Sequence, residues 1–134
     1  MNAIDASVAV AALTTWHDSH DVARAAAHGA AIPSHALLET YSVLTRLPAP
    51  HRLDRDVVGR LLERWFPPAG IVVPTDELAK RMVDRCREAE VEGGAVYDAL
   101  IGLTADEAGL PLLTRDRRAT ATYERLGIGF TVLE

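Results

Sequence analysis

The sequence predicts an α/β fold in which a parallel sheet of four to five strands is covered by helices on both faces. Short apolar runs alternate with helical segments along the whole chain, and strands that are buried on both faces have such continuous apolar runs. The 134 residues, of which 49% are hydrophobic and 25% charged, suffice for one full hydrophobic core. We therefore expect a single domain over residues 1–134.

The first half of the chain is predicted to form two strands and four helices. Gly29 ends the second helix, Ser34 is a good N-cap for the third, and Pro48 stops that helix. The fourth helix has apolar residues at helical spacing and ends before Pro67. In chain order these elements cover residues 2–6 (strand), 7–13, 19–28, 30–32 (strand), 34–47 and 54–66.

The second half is predicted to form three strands and three helices. Thr75 caps a charged helix, Gly94 breaks the chain before a nearly all-apolar helix, and Gly109 closes that helix. The apolar runs before, between and after these helices are the strands. In chain order the elements cover residues 71–73 (strand), 75–89, 95–108, 112–114 (strand), 117–126 and 128–133 (strand).

Four acidic residues lie at the ends, or on one face, of these apolar elements: Asp5, Glu39, Asp98 and Asp116. Asp5 and Asp116 each follow a strand directly, and in open parallel sheets sites form at the carboxyl ends of strands. Carboxylates that converge away from water repel one another unless a cation compensates their charge. Because hard cations bind carboxylate oxygens, the set predicts a Mg²⁺ or Mn²⁺ site.

Each acid, taken alone, also has a purely structural interpretation. Asp5 and Asp116 could each cap the helix that follows, and Glu39 could form a solvated salt bridge on its helix face. Asp98 could interact with the helix dipole, although its apolar neighbours favour a ligand role. These alternatives stay open for the single residues, and only the set favours a metal site.

Basic residues beside the acids are candidates for phosphate contacts. Arg117 and Arg118 fall in the first turn of the last predicted helix, where cations oppose the helix dipole and a bound phosphate would explain them. Arg46 shares a predicted helix face with Glu39. The net charge of −5 argues against broad, charge-driven binding of nucleic acid. We therefore expect few phosphate contacts and a shallow salt dependence of binding.

Several segments around the acids follow one family pattern. They are residues 4–8 (IDASV), 34–39 (SHALLE) with 43–47 (VLTRL), 96–101 (VYDALI) and 112–119 (LLTRDRRA), which 123–127 continue. In this order they resemble the PIN-domain ribonucleases, and within them the toxins of VapBC toxin–antitoxin pairs. The resemblance implies a PIN-like three-layer α/β/α fold.

The resemblance also implies a function and a set of roles. The chain would be a metal-dependent endoribonuclease toxin of a type II toxin–antitoxin system, hydrolysing a tRNA or other structured RNA with a water that the ion activates. Asp5, Glu39, Asp98 and Asp116 would coordinate Mg²⁺ or Mn²⁺, and Thr114, like Ser7, would orient the site through its hydroxyl. No second acid follows Asp116 closely, unlike in some members, so one ion and two ions both remain open.

The resemblance further implies partners, and rival interpretations exist. Members are usually homodimers that a small VapB-like antitoxin neutralises. The alternatives are a catalytically inactive PIN-like binding domain, a phospho-acceptor receiver-like domain, and an Asp-nucleophile phosphatase, whose second Asp would stand where Ser7 is.

Other signals bear on the compartment and on a second metal. The lone Cys86 fits a reducing cytoplasm, and neither a membrane-spanning run nor the basic region of a signal peptide is present. We therefore expect a cytoplasmic protein. The cluster from His17 to Asp21 could suggest zinc, but no Cys supports it and its spacing fits a loop and a helix start.

Overall fold

The apolar runs between the helical segments form five short strands in the computed structural model, which describes residues 1–134. The strands are β1 (Ala3–Ile4), β2 (Ile32–Pro33), β3 (Ile71–Val72), β4 (Leu112–Thr114) and β5 (Phe130–Val132). Every pairing between them is parallel. The predicted α/β architecture with parallel strands is therefore confirmed.

The central strand of the arrangement is β1. It pairs with β4, β4 pairs with β5, and β2 pairs with β3. Ala31, just before β2, bridges to Ala3: its amide donates to the Asn2 carbonyl at 2.9 Å and its carbonyl accepts from the Ile4 amide at 3.0 Å. The spatial order is therefore β3-β2-β1-β4-β5. Between β1 and β4 the chain reverses its direction of winding, and a crevice opens there at the carboxyl ends of the strands.

Seven helices cover the two faces of this sheet. They are α1 (Ala6–Leu13), α2 (His20–Ala27), α3 (Ser34–Thr45), α4 (Arg55–Trp65), α5 (Asp76–Glu88), α6 (Ala95–Glu107) and α7 (Thr120–Arg125), with a 3₁₀ turn at Pro68–Gly70. None of them is long and apolar enough to cross a bilayer.

The hydrophobic core is divided by the sheet, because neighbouring strand residues face opposite sides. Ile4 and Leu113 pack with residues of α1 to α4 on one face. Ala3 and Leu112 pack with residues of α5 to α7 on the other. α6 contributes to both clusters and is buried on nearly every side, as its apolar sequence predicts. This arrangement confirms the three layers.

The start of the last helix is a correction to the sequence-based prediction. α7 begins at Thr120 rather than at residue 117. Residues 117–119 instead form a turn in which the Ala119 amide donates to the Asp116 carbonyl at 3.1 Å and the Arg118 amide donates to Asp116 Oδ1 at 3.0 Å. Arg117 and Arg118 therefore precede the helix, and the argument that they oppose its dipole no longer applies.

Candidate active site

Asp5 ends the central strand and caps α1. Its Oδ1 atom accepts hydrogen bonds from the amides of Ser7 at 3.0 Å and Val8 at 3.3 Å, and from the Ser7 hydroxyl. Asp5 is nevertheless only 4% exposed, and this burial raises the pKa of its carboxyl. A capping residue on the surface would not carry that desolvation cost. Capping is therefore real but does not by itself explain why an acid is buried here.

Two hydroxyl groups connect the end of β4 to the start of α1. Ser7 Oγ accepts a hydrogen bond from the Arg115 amide at 2.7 Å, and Thr114 Oγ1 accepts one from the Asp116 amide at 3.0 Å. The two hydroxyl oxygens lie 3.4 Å apart, and Thr114 is fully buried. These contacts fix the segment that carries Asp116 against the segment that carries Asp5.

A tyrosine of α7 also reaches Asp5. The Tyr123 hydroxyl donates to Asp5 Oδ2 at 3.1 Å, and the side chain is fully buried. Burial, followed by the nearby negative charge of Asp5 and Asp98, raises the pKa of Tyr123, so the phenol remains a proton donor. The sequence marked Tyr123 only as part of a matching segment, because a contact over 118 positions leaves no local pattern.

Glu39 of α3 and Asp98 of α6 approach the same crevice from the helical layers. Both are half-buried, and α3 packs against α6. Desolvation first, and then the charges of Asp116, Glu39 and Asp5, raise the pKa of Asp98 to about 6. Desolvation, and then the charges of Asp5 and Asp116, likewise raise the pKa of Glu39. The carboxylates are thus close enough to repel one another.

All four predicted acids line one cleft of about 270 Å³ at the carboxyl edge of the sheet. Its lining consists of Asp5, Ala6, Ser7, Val10, His17, Glu39, Val43, Asp98, Ile101, Arg115 and Asp116. The structure therefore places the four acids that were selected from the sequence, which come from four separate segments, at one cleft. Thr114 lies directly beneath them, bonded to the Asp116 amide.

The donor set suits a divalent cation. It offers only hard carboxylate oxygens, and the raised pKa values of Asp98 and Glu39 reflect burial first and the neighbouring carboxylates second, which Arg118 and Arg46 offset only in part. No three acid, histidine or cysteine side chains converge tightly enough to hold one ion between them as they stand. Glu39 and Asp98 are both half-buried at the cleft.

The three arginines predicted to bind phosphate lie outside the cleft lining. Arg117 is exposed and pairs with Glu134 at 3.0 Å. Arg118 Nε lies 3.5 Å from Asp116 Oδ1, and Arg46 is exposed after the last residue of α3. The positive charge of Arg118 offsets part of the rise in the pKa of Asp98, although the Arg118 side chain is 93% exposed.

Two further side chains line the cleft, although the sequence favoured neither of them for a role at the acidic site. Arg115 lies between Thr114 and Asp116, and its buried Nε atom has no hydrogen-bond partner. Its position directly after a strand, at the same edge as Asp5, was the signal that could have found it. His17 comes from the loop after α1, and no local pattern indicated that this loop returns to the cleft.

Comparison with known families defines the class of the protein. The model of the PIN domain matches residues 3–125. Because this is nearly the whole chain, the protein belongs to the PIN-domain family. Its relatives include Ribonuclease VapC40 of two Mycobacterium tuberculosis strains, CDC 1551 / Oshkosh and H37Rv, with 47% identity over 96% of both chains. Ribonuclease VapC27 of strain H37Rv is 45% identical over 97% of this chain and 95% of the relative. Within the family, the protein is thus of the VapC type.

Solved structures share the fold at lower identity. A structure of FitAB bound to IR36 DNA fragment covers 100% of this chain and 98% of its own, with a TM-score of 0.68 and 18% identity. The match to FitAcB from Neisseria gonorrhoeae covers 97% of this chain and 96% of that chain, with a TM-score of 0.70 and 16% identity. The match to PAE2754 from Pyrobaculum aerophilum covers 90% of this chain and 84% of that chain, with a TM-score of 0.55 and 24% identity. The fold is therefore that of the PIN family.

Proposed function

We propose that this protein is a metal-dependent endoribonuclease toxin of a type II toxin–antitoxin system, which hydrolyses phosphodiester bonds of a tRNA or other structured RNA. The observation that carries the proposal is the meeting of four carboxylates from four distant segments in one cleft. The relatives named as ribonucleases, which match over almost the entire chain, support the reaction class. The PIN family match over residues 3–125 leaves the receiver-like and phosphatase alternatives without support.

The four acids, in this proposal, hold Mg²⁺ or Mn²⁺. When bound, such an ion acts as a Lewis acid on the phosphodiester and makes water a stronger nucleophile at neutral pH. Asp5 and Asp116 are held in place by backbone and hydroxyl contacts, whereas Glu39 and Asp98 lie on helices and would complete the set of ligands. Thr114 and Ser7 act as positioning residues, because they connect the two fixed acids.

Substrate phosphate is proposed to contact hydrogen-bond donors of the cleft and its rim. Arg115 lines the cleft with an unpaired Nε donor. His17 Nδ1 accepts a hydrogen bond from the Ser19 amide at 3.1 Å, which leaves Nε2 as a donor. Arg118 beside Asp116 adds a positive charge at the rim. Guanidinium groups suit phosphate because their donors match its oxygens in pairs.

We also propose two protein partners, a second copy of this chain and a small VapB-like antitoxin. Large apolar side chains in contact with water support this proposal. Leu38, Val83 and Tyr97 are 64%, 72% and 55% exposed, and burial against another chain would remove that surface from water. Sedimentation of the protein alone and with the antitoxin tests both associations.

The decisive test of the function is cleavage of mixed RNA with Mg²⁺ or Mn²⁺, alongside a sample with chelator. The proposal predicts fragments that appear only with the ion. RNA binding without cleavage under all ion conditions would instead favour the alternative of an inactive PIN-like binding domain. Titration of Mn²⁺ into the protein would decide between one ion and two.

A further inference from the structure

The contact between Tyr123 and Asp5 is more than core packing. The tyrosine hydroxyl is buried with the ring and has Asp5 Oδ2 as its hydrogen-bond partner. A buried phenol needs such a partner, since an unsatisfied hydroxyl is costly. A phenylalanine would fill the same space without that requirement. The hydroxyl at this position is therefore explained by its hydrogen bond to the carboxylate and not by packing in the core.

The hydrogen bonds of Asp5 are divided unequally between its two oxygens. Oδ1 accepts from the Ser7 amide, the Ser7 hydroxyl and the Val8 amide. Oδ2 accepts from the Tyr123 hydroxyl. A carboxylate has about four lone-pair positions in total, two on each oxygen. Oδ1 is thus fully used, and the Tyr123 hydroxyl holds the other oxygen of the carboxylate.

Gly102 of α6 has no side chain, which leaves room for the tyrosine ring. A Cβ atom at Gly102 would lie 3.0 Å from Tyr123 Cδ1, 3.1 Å from Cε1 and 2.6 Å from Ile128 Cδ1. Gly102 is one helical turn after Asp98, on the same helix. The ring therefore packs on the helix that carries Asp98 while its hydroxyl donates to Asp5.

We propose that Tyr123 is a positioning residue for the metal site: its donation to Asp5 Oδ2 fixes the orientation of a carboxylate that would hold the ion. This inference rests on the proposed function. Hydrogen bonds to ligating carboxylates fix their orientation, and removing them typically weakens metal affinity by about 10- to 100-fold. Without this hydrogen bond the Asp5 carboxylate would be held less firmly, so the ion would bind more weakly but would still bind.

The test is calorimetric titration of Mn²⁺ into the full-length wild-type protein and into Tyr123→Phe, without RNA. We expect the Mn²⁺ dissociation constant to rise at least about tenfold in Tyr123→Phe, with circular dichroism unchanged because the ring is retained. In cleavage assays the ion concentration for half-maximal rate should rise similarly, while kcat at saturating Mn²⁺ stays within about twofold. Tyr41→Phe is the matched control, because Tyr41 lies on α3 and does not line the acidic cleft.

The outcomes separate the positioning role from the proposed function. Equal Mn²⁺ affinity in the wild type, Tyr123→Phe and Tyr41→Phe would overturn the role of Tyr123 and leave the nuclease proposal intact. A wild-type protein that binds no Mn²⁺ would overturn the proposed metal site itself.

Discussion

The Ser7 hydroxyl accepts a hydrogen bond from the Arg115 amide at 2.7 Å, across 108 positions of the sequence. The same hydroxyl donates to Asp5 Oδ1. One small side chain in the first turn of α1 therefore joins the segment that carries Asp5 to the segment that carries Asp116. Its chemistry explains why a serine stands at this position, since both a donor and an acceptor are needed there.

Replacing Ser7 by alanine should therefore weaken the fold and the site together. The Arg115 amide would lose its partner, which costs about 1–3 kcal/mol when the group is shielded from water. We expect the melting temperature of Ser7→Ala to fall by several degrees and RNA cleavage to decrease. Ser42→Ala, at an exposed position of α3, is the control. Equal melting temperatures for the two variants would show that the Ser7 contact contributes nothing.

The raised pKa of Asp98 predicts how stability without metal depends on pH. Asp98 has a pKa of about 6 in the folded protein, against an ordinary value of 3.8. Because the folded state binds this proton more tightly, the destabilisation is complete above pH 6 and is relieved as the pH falls from 6 towards 4. Asp98 is half-exposed, so the effect should not exceed about 1 kcal/mol.

Thermal unfolding with chelator measures this effect. At neutral pH, Asp98→Asn should melt a few degrees above the wild type, because the amide removes the charge repulsion. That difference should disappear near pH 4, where Asp98 is protonated. A difference that is constant over this range, or of opposite sign at neutral pH, would show that the carboxylates do not interact as described.

Arginines inside and outside the cleft should differ in their effect on RNA binding. Arg115 lines the cleft, whereas Arg117 is paired with Glu134 on the surface. In an Asp98→Asn background, which blocks cleavage, Arg115→Ala should weaken RNA binding roughly tenfold. The dependence of the RNA-binding constant on salt concentration should become shallower by the amount that corresponds to about one phosphate contact. Arg117→Ala is the matched control and should change binding less than about twofold. Equal losses of RNA affinity in the two variants would show that RNA does not bind preferentially through Arg115 in the cleft.

Part of the site could be predicted from the sequence because the topology determines it. Asp5 and Asp116 follow strands of a parallel sheet, and such strands end at a common edge. The meeting of Glu39 and Asp98 depends on how α3 packs against α6, which no local pattern specifies. Arg117 was assigned to the site from its neighbours in sequence, yet the turn before α7 directs it to Glu134.

Helix boundaries and distant contacts were the least predictable features. The last helix starts three residues later than its sequence indicates, because Asp116 organises a turn first. Tyr123 and His17 approach the acids from α7 and from the loop after α1. Both depend on tertiary packing over long sequence distances, and a single sequence carries no direct signal of such contacts.

The most direct test of the central claim is RNA cleavage by Asp98→Asn, with Asp106→Asn as its matched control on the same helix. Asp98 faces the acidic cleft, and Asp106 is exposed two turns further along α6. If four distant carboxylates form one metal site, Asp98→Asn should lose cleavage by at least about 100-fold and retain its fold, whereas Asp106→Asn should cleave like the wild type. An Asp98→Asn protein that cleaves RNA at the wild-type rate would contradict the shared site.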